Sequence, residues 1–208
     1  MQKQAKAPSA GSRFYRQIGA HGWCESDWFT YSSSSSPLRR WIADQIGAPP
    51  SLILSVGCGS GELESHLGKL GHRMVGLDLS LPMLKRARRS GLAFAAQAEA
   101  RSLPFASASF DAVLYLEAIG HLRLEETFAE AFRVLKHRGR VLITTYASHT
   151  KVHRRYRKYS LEEMAEGLTA VGFRVDDRRF IAAKRIAIED VASDREASLL
   201  YILATKLG

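Results

Sequence analysis

Strand-like and helix-like segments alternate along the 208 residues, which predicts an α/β fold: a doubly wound, mostly parallel seven-stranded sheet with helices on both faces and an antiparallel C-terminal edge. Three observations carry that expectation. An apolar run at 51–56 stops at Gly57, Gly59 and Gly61, and an amphipathic helical pattern begins at once. Glycine reaches backbone angles closed to other residues and has no Cβ, so such a turn lets a ligand approach the main chain. A second apolar run, Val75 to Asp78, ends in a lone carboxylate. That offset is where nucleotide-binding α/β folds place an acid on ribose hydroxyls. Finally, the last 36 or so residues carry two β-rich runs, 173–181 and 197–206, that suit a sheet edge.

The elements follow in order. A serine run, Ser32 to Ser36, precedes Pro37, which can open a helix at its first position. Apolar residues at 38, 41, 42 and 46 then keep helical spacing. Residues 51–56 form the first strand, and a helix extends to about 69. Val75 to Asp78 is the second strand, and Ser80 caps a helix to about 89 with Pro82 in its first turn. Leu92 to Ala96 and Asp111 to Leu116 are the third and fourth strands. Leu124 to His137 is a helix, and Arg140 to Tyr146 a fifth strand. Ser160-Leu-Glu-Glu is a capping box that starts a helix, and Gly172 stops it.

Glycine spacing discriminates among nucleotides. A dinucleotide fingerprint is G-x-G-x-x-G, with bare helix N–H groups on a pyrophosphate. Here the third glycine arrives one residue early, and Glu62 and Glu64 follow in the helix's first turn. Carboxylates there suit the helix dipole but repel a pyrophosphate. A phosphate-free, cationic sulfonium cofactor tolerates them. No Gly-Lys-Ser/Thr follows, which excludes a P-loop.

In these residues the chain resembles the class I S-adenosylmethionine-dependent methyltransferases, a Rossmann-like family, over about residues 50–145. Val56-Gly57-Cys58-Gly59-Ser60-Gly61 resembles the first motif, which wraps the methionine part of the cofactor. Asp78 resembles the acid that takes both ribose hydroxyls, with Leu79 and Met83 beside it. Glu99-Ala100 resembles the Asp-Ala pair that reads the adenine, with Glu in place of Asp. Phe110-Asp-Ala-Val through Glu117 resembles the fourth strand and its exit toward the methyl group, Glu117 holding the methionine end. Leu135 to Ile143 resembles the segment leading into the fifth strand, with His137-Arg138 where Pro-Gly is usual. The resemblance implies S-adenosyl-L-methionine as cofactor, S-adenosyl-L-homocysteine as product, and general likeness to the small-molecule type such as the quinone-biosynthesis C-methyltransferases.

Methyl transfer is an in-line displacement at an already activated carbon, so positioning and exclusion of water supply most of the acceleration. Where the acceptor must lose a proton, His121 is the candidate base, lying just past the fourth strand; His149 and His153 are lesser candidates. No metal ligand set is assigned. The fourth strand lacks the Asn/Asp-Pro-Pro-Tyr ending of enzymes that methylate amide or nucleobase nitrogens. That absence counts against such acceptors, and a small-molecule acceptor, as the resemblance implies, is expected.

Net charge is +9, from 30 basic and 21 acidic residues. Lys85, Arg86, Arg88 and Arg89 read as the solvated end of a helix. Lys151 to Lys158 interleaves cations with aromatics and makes a tRNA or rRNA acceptor the alternative. A nicotinamide-dependent oxidoreductase and a non-enzymatic cofactor-binding module are further readings. Residues 1–12 read as a disordered lead-in without a signal peptide. Residues 13–208 read as one domain: an aromatic-rich N-terminal lid with helices (13–47), the cofactor-binding core (50–145), and a substrate-side loop, helix and strand pair (146–208). Cys24 and Cys58 give no disulfide framework. With no apolar run near 18 residues there is no expected membrane span, and a cytoplasmic location is expected.

Overall fold

The computed structural model describes residues 37–150, 155–183 and 188–208. The expectations for 1–36, including the aromatic lid, and for His153 lie outside these residues. Helix α1 is Pro37–Ile46, followed by β1 (Leu52–Val56), α2 (Glu62–Lys69), β2 (Arg73–Asp78), α3 (Leu81–Arg89) and β3 (Phe94–Gln97). Then come β4 (Phe110–Leu116), a 3₁₀ turn at Ile119–His121, α4 (Leu124–Val134), β5 (Leu135–Tyr146) and α5 (Leu161–Ala170). Strands β6 (Phe173–Ala183), β7 (Ile188–Val191) and β8 (Leu199–Lys206) finish the chain.

The strands form one sheet in the order β3-β2-β1-β4-β5-β8-β6-β7. Strands β1 to β5 pair in parallel. The pairs β5–β8, β8–β6 and β6–β7 are antiparallel. Among the described residues the sheet has eight strands where seven were expected. The additional strand, β7, is only Ile-Glu-Asp-Val, with one apolar residue at each end, so its sequence has too little alternation to announce a strand. It exists because Phe180 to Ala183 offers it a ladder.

Alternation of side chains along the strands builds two cores. Leu54, Val113, Tyr115, Val141, Ile143 and Ile202 face α4 and α5 through Phe128, Ala131, Met164 and Leu168. Ile53, Leu114, Leu142 and Tyr201 face α1, α2 and α3 through Ile42, Leu67 and Leu84. Helices thus cover both faces, as the pattern predicts.

Two helix ends are tied by cations from far along the chain. Arg140 donates to the carbonyls of Gln45 and Ile46 at the end of α1. Buried Lys206 donates to the Phe132 and Leu135 carbonyls at the end of α4, at 2.8 and 2.9 Å. Orphan carbonyls of a helix C-terminus favour such partners. The expected helix to His137 ends instead at Val134, because Leu135 already pairs with Phe110 and the Arg133 and Val134 carbonyls accept from Ala108 and Ser109.

Candidate functional site

Ligands of open α/β sheets bind beyond the carboxyl ends of the strands, where the order reverses. In this chain β1 is flanked by β2 and β4, so the reversal falls at β1. A cleft of about 750 Å³, counting space open to solvent, lies there. Its walls are the exits of β1 (Val56, Gly57, Gly59), β2 (Leu77, Asp78, Leu79), β3 (Ala98, Ala100) and β4 (Leu116, Glu117, Ala118). Ser80 and Met83 line it from the start of α3, and His121 and Leu122 from the 3₁₀ turn.

The glycine turn is built as its composition requires. Gly57, Gly59 and Gly61 have φ of 78°, 52° and 70°, angles that L side chains rarely adopt. A Cβ on Gly57 would lie 2.6 Å from that of Ala118, and one on Gly61 would lie 2.7 Å from that of Ala87 on α3. The first glycine keeps the β1 exit close to the β4 exit; the third lets α2 pack on α3. Both Gly57 and Cys58 donate their amides to the Leu77 carbonyl, which fixes the turn against β2.

Asp78 ties two turns together. Its Oδ2 accepts from the Gly59 amide at 2.9 Å and its Oδ1 from the Ser80 amide at 2.7 Å. Burial pushes this carboxyl above its ordinary range, and the amide hydrogen bonds pull the other way. Glu117 is 4% exposed and has a φ of 50°. The left-handed region costs a non-glycine residue about 1–2 kcal/mol. The bend turns the chain out of β4 while Thr144 Oγ1 donates to Glu117 Oε1 at 2.8 Å. His121 stands at the same end and meets the Tyr156 ring edge-on at 4.8 Å.

The structure thus brings Gly57, Gly59, Asp78, Leu79, Met83, Ala100, Glu117 and His121 to one cleft. It does not bring Cys58, Ser60, Gly61 or Glu99 to the cleft's lining. Cys58 is buried in the core between β1, α2 and α3, and burial raises its thiol well above the usual range. Glu99 turns to Arg101, Nε to Oε2 at 2.5 Å. His149 is exposed beyond β5. Sequence reasoning missed Leu77, Ala98, Leu116 and Leu122 as wall residues; the strand-exit rule points to the first three.

Residues 54–143 match the methyltransferase domain family. A protein of Encephalitozoon cuniculi that is named as a methyltransferase is 31% identical over 147 residues, covering 69% of this chain and 68% of its own. The chain belongs to the class I S-adenosylmethionine-dependent methyltransferases. The demethylmenaquinone methyltransferase of Renibacterium salmoninarum is 34% identical over 124 residues, covering 56% of this chain and 52% of that one. A solved S-adenosylmethionine-dependent methyltransferase of Thermotoga maritima shares the fold, with a TM-score of 0.68 at 20% identity over 88% of this chain and 94% of that one.

Within this methyltransferase fold the residues described at the end of the basic segment, 156–158, and the adjoining Tyr159 are engaged with the rest of the protein. Tyr156 is buried and its hydroxyl lies 2.6 Å from Thr145 Oγ1. Tyr159 donates to the Leu122 carbonyl at 2.8 Å. Arg157 pairs with Glu163 at 3.0 Å and stacks over Tyr159, and Lys158 donates to the Ser148 carbonyl. The aromatics therefore clamp the turn that carries His121. A Cβ on Gly120 would meet the Tyr156 ring at 2.3 Å. Among the described residues no group of three or more His, Cys, Asp or Glu could hold a metal ion, and no helix is long and apolar enough to cross a membrane.

Proposed function

We propose that this chain binds S-adenosyl-L-methionine in the cleft at the β1 exit and transfers its methyl group to a small-molecule acceptor. The observation that carries the reading is the junction of the Gly57–Gly59 turn with Asp78, whose carboxylate is held by the amides of both adjoining turns. The residues present fit the cofactor. The bare main chain of Gly57 and Gly59 receives the amino-acid tail, Asp78 takes the ribose hydroxyls, and Leu79, Met83 and Ala100 flank the adenine. Cys58, Ser60 and Gly61 complete the turn from behind, and Glu99 stands beside Ala100 as the acid toward the adenine. Glu117 faces the methionine end.

Charge supports a sulfonium over a dinucleotide. The lining carries Asp78 and Glu117 but neither lysine nor arginine among the described residues, so a pyrophosphate would lack a counter-charge. When bound, the cofactor supplies an activated methyl carbon. The chain's part is to hold the acceptor in line with it and to keep water out. His121, at the methyl end and oriented by Tyr156, receives a proton from acceptors that must lose one.

Isothermal titration with S-adenosyl-L-homocysteine tests the assignment. Asp78→Ala is expected to weaken binding by about 100-fold, the scale of two lost charge-assisted hydrogen bonds; unchanged affinity overturns the ribose role. Incubation with labelled cofactor and a fractionated extract should place label in small molecules, and label in RNA would overturn the acceptor class.

A further inference from the structure

One wall of the cleft is a loop with no regular structure. Residues 98–109 join β3 to β4, carry Ala98 and Ala100 into the cleft, and contain no helix or strand. Such a segment needs an external support to present a fixed surface. Five hydrogen bonds tie it to α4. Leu103 donates its amide to Glu130 Oε2 at 2.6 Å. Arg133 donates from Nη2 to the Leu103 carbonyl at 2.9 Å and from Nη1 to the Phe105 carbonyl at 2.7 Å. The Ala108 and Ser109 amides reach the carbonyls of Arg133 and Val134.

Glu130 and Arg133 also hold each other. Arg133 Nε lies 2.8 Å from Glu130 Oε1, and Nη2 lies 2.8 Å from Oε2. The guanidinium therefore binds a carboxylate along one edge and two carbonyls with its remaining donors, a pattern that a single ammonium cannot copy. Both polar groups of the Leu103 backbone are satisfied by side chains of one helix. Buried Leu103 and Ala100 lie in the core beneath the loop.

We infer that Glu130 and Arg133 are positioning residues for base recognition: a two-residue clamp on α4 that sets the wall against which the adenine of the cofactor packs. The same helix begins just after His121 and Leu122, so α4 fixes the spacing between the base wall and the acceptor end of the cleft. This inference rests on the cofactor reading proposed above.

The test compares affinities of the full chain for S-adenosyl-L-homocysteine and for its hypoxanthine analogue, by isothermal titration. Arg133→Met and Glu130→Gln are expected to bind the adenine ligand about tenfold more weakly and to lose most of the preference over the analogue, because a loosened wall no longer reads the ring edge. Arg133→Lys, which keeps the charge but not the fork, should behave like Arg133→Met. Arg140→Met serves as the control, since it removes a helix cap at the starts of the strands, away from the cleft and without touching the loop. It should lower the melting temperature and leave both affinities in place. If Arg133→Met and Glu130→Gln lose stability as Arg140→Met does but keep affinity and preference, the clamp is structural only and the inference falls. If Arg133→Met does not fold, the milder Glu130→Gln decides. A wild-type chain that binds neither ligand overturns the cofactor reading itself, and with it this one.

Discussion

A carboxyl buried as deeply as Glu64, 4% exposed, is held in place by the Ser55 hydroxyl, which donates to Oε1 at 2.6 Å. From sequence, Glu64 reads as a first-turn acid facing a ligand, but it points into the interior beneath the glycine turn. Burial raises its pKa from 4.5 to about 7, against smaller opposing effects of Ser55 and Arg39. The folded state therefore holds this proton more tightly than the unfolded one. Its contribution to stability is complete below about pH 4.5 and is lost as pH rises through about 7, a span worth roughly 3 kcal/mol. Glu64→Gln keeps the partner for Ser55 and removes the titration. Urea unfolding should show the variant gaining on wild type between pH 5 and pH 8; a constant difference across that range would contradict the burial argument. Gly57→Ala should cost roughly 2 kcal/mol in the same experiment, from its φ of 78° and the 2.6 Å approach to Ala118.

Helix α5 shows how far local signals reach. Ser160 accepts from the Glu163 amide at 3.1 Å, and the Glu163 carboxylate accepts from the Ser160 amide at 2.9 Å, the capping box that the four residues spell out. Ser160→Ala should cost about 1 kcal/mol in thermal or chemical unfolding with no change in cofactor affinity. The basic end of α3, with Arg86, Arg88 and Arg89 in its last turn, was equally legible as a helix terminus. Other element boundaries were not. Arg140 and Lys206 cap α1 and α4 from strands 94 and 71 residues away, so nothing near those helices predicts the support. The end of α4 at Val134 depends on Phe110, and β7 depends on Phe180 to Ala183. Periodicity and caps are properties of a segment, whereas these features belong to pairs brought together only by folding. The site divides the same way. Gly57, Gly59, Asp78 and His121 were readable because each sits at a strand exit, while the inward turn of Tyr156 and the Glu130–Arg133 clamp were hidden in sequences that look like a charged loop and a helix face.

The sheet has a tightly wound centre and a light margin. Strands β1, β4 and β5 lie between neighbours on both sides and under helices on both faces, with Leu54, Val113, Leu114, Val141 and Ile143 fully buried. Among the described residues strand β7 pairs with β6 alone, and it spans four residues, none of them buried. Native-state hydrogen exchange should give amides of β1, β4 and β5 protection near the global unfolding free energy, and those of β7 markedly less. Equal protection across the sheet would mean that the C-terminal edge folds and unfolds with the centre.

At the rim of that centre, the two oxygens of Asp78 are already engaged by the amides of Gly59 and Ser80. A flexible acid would have to surrender its rotamers whenever a sugar arrived, at the cost typical of ordering a side chain. Here that entropy is lost once, when the chain folds, so on the cofactor reading proposed above the carboxylate meets the ribose already oriented. Association can then be quick and undemanding at this corner, leaving whatever motion the cycle needs to the acceptor's side of the cleft.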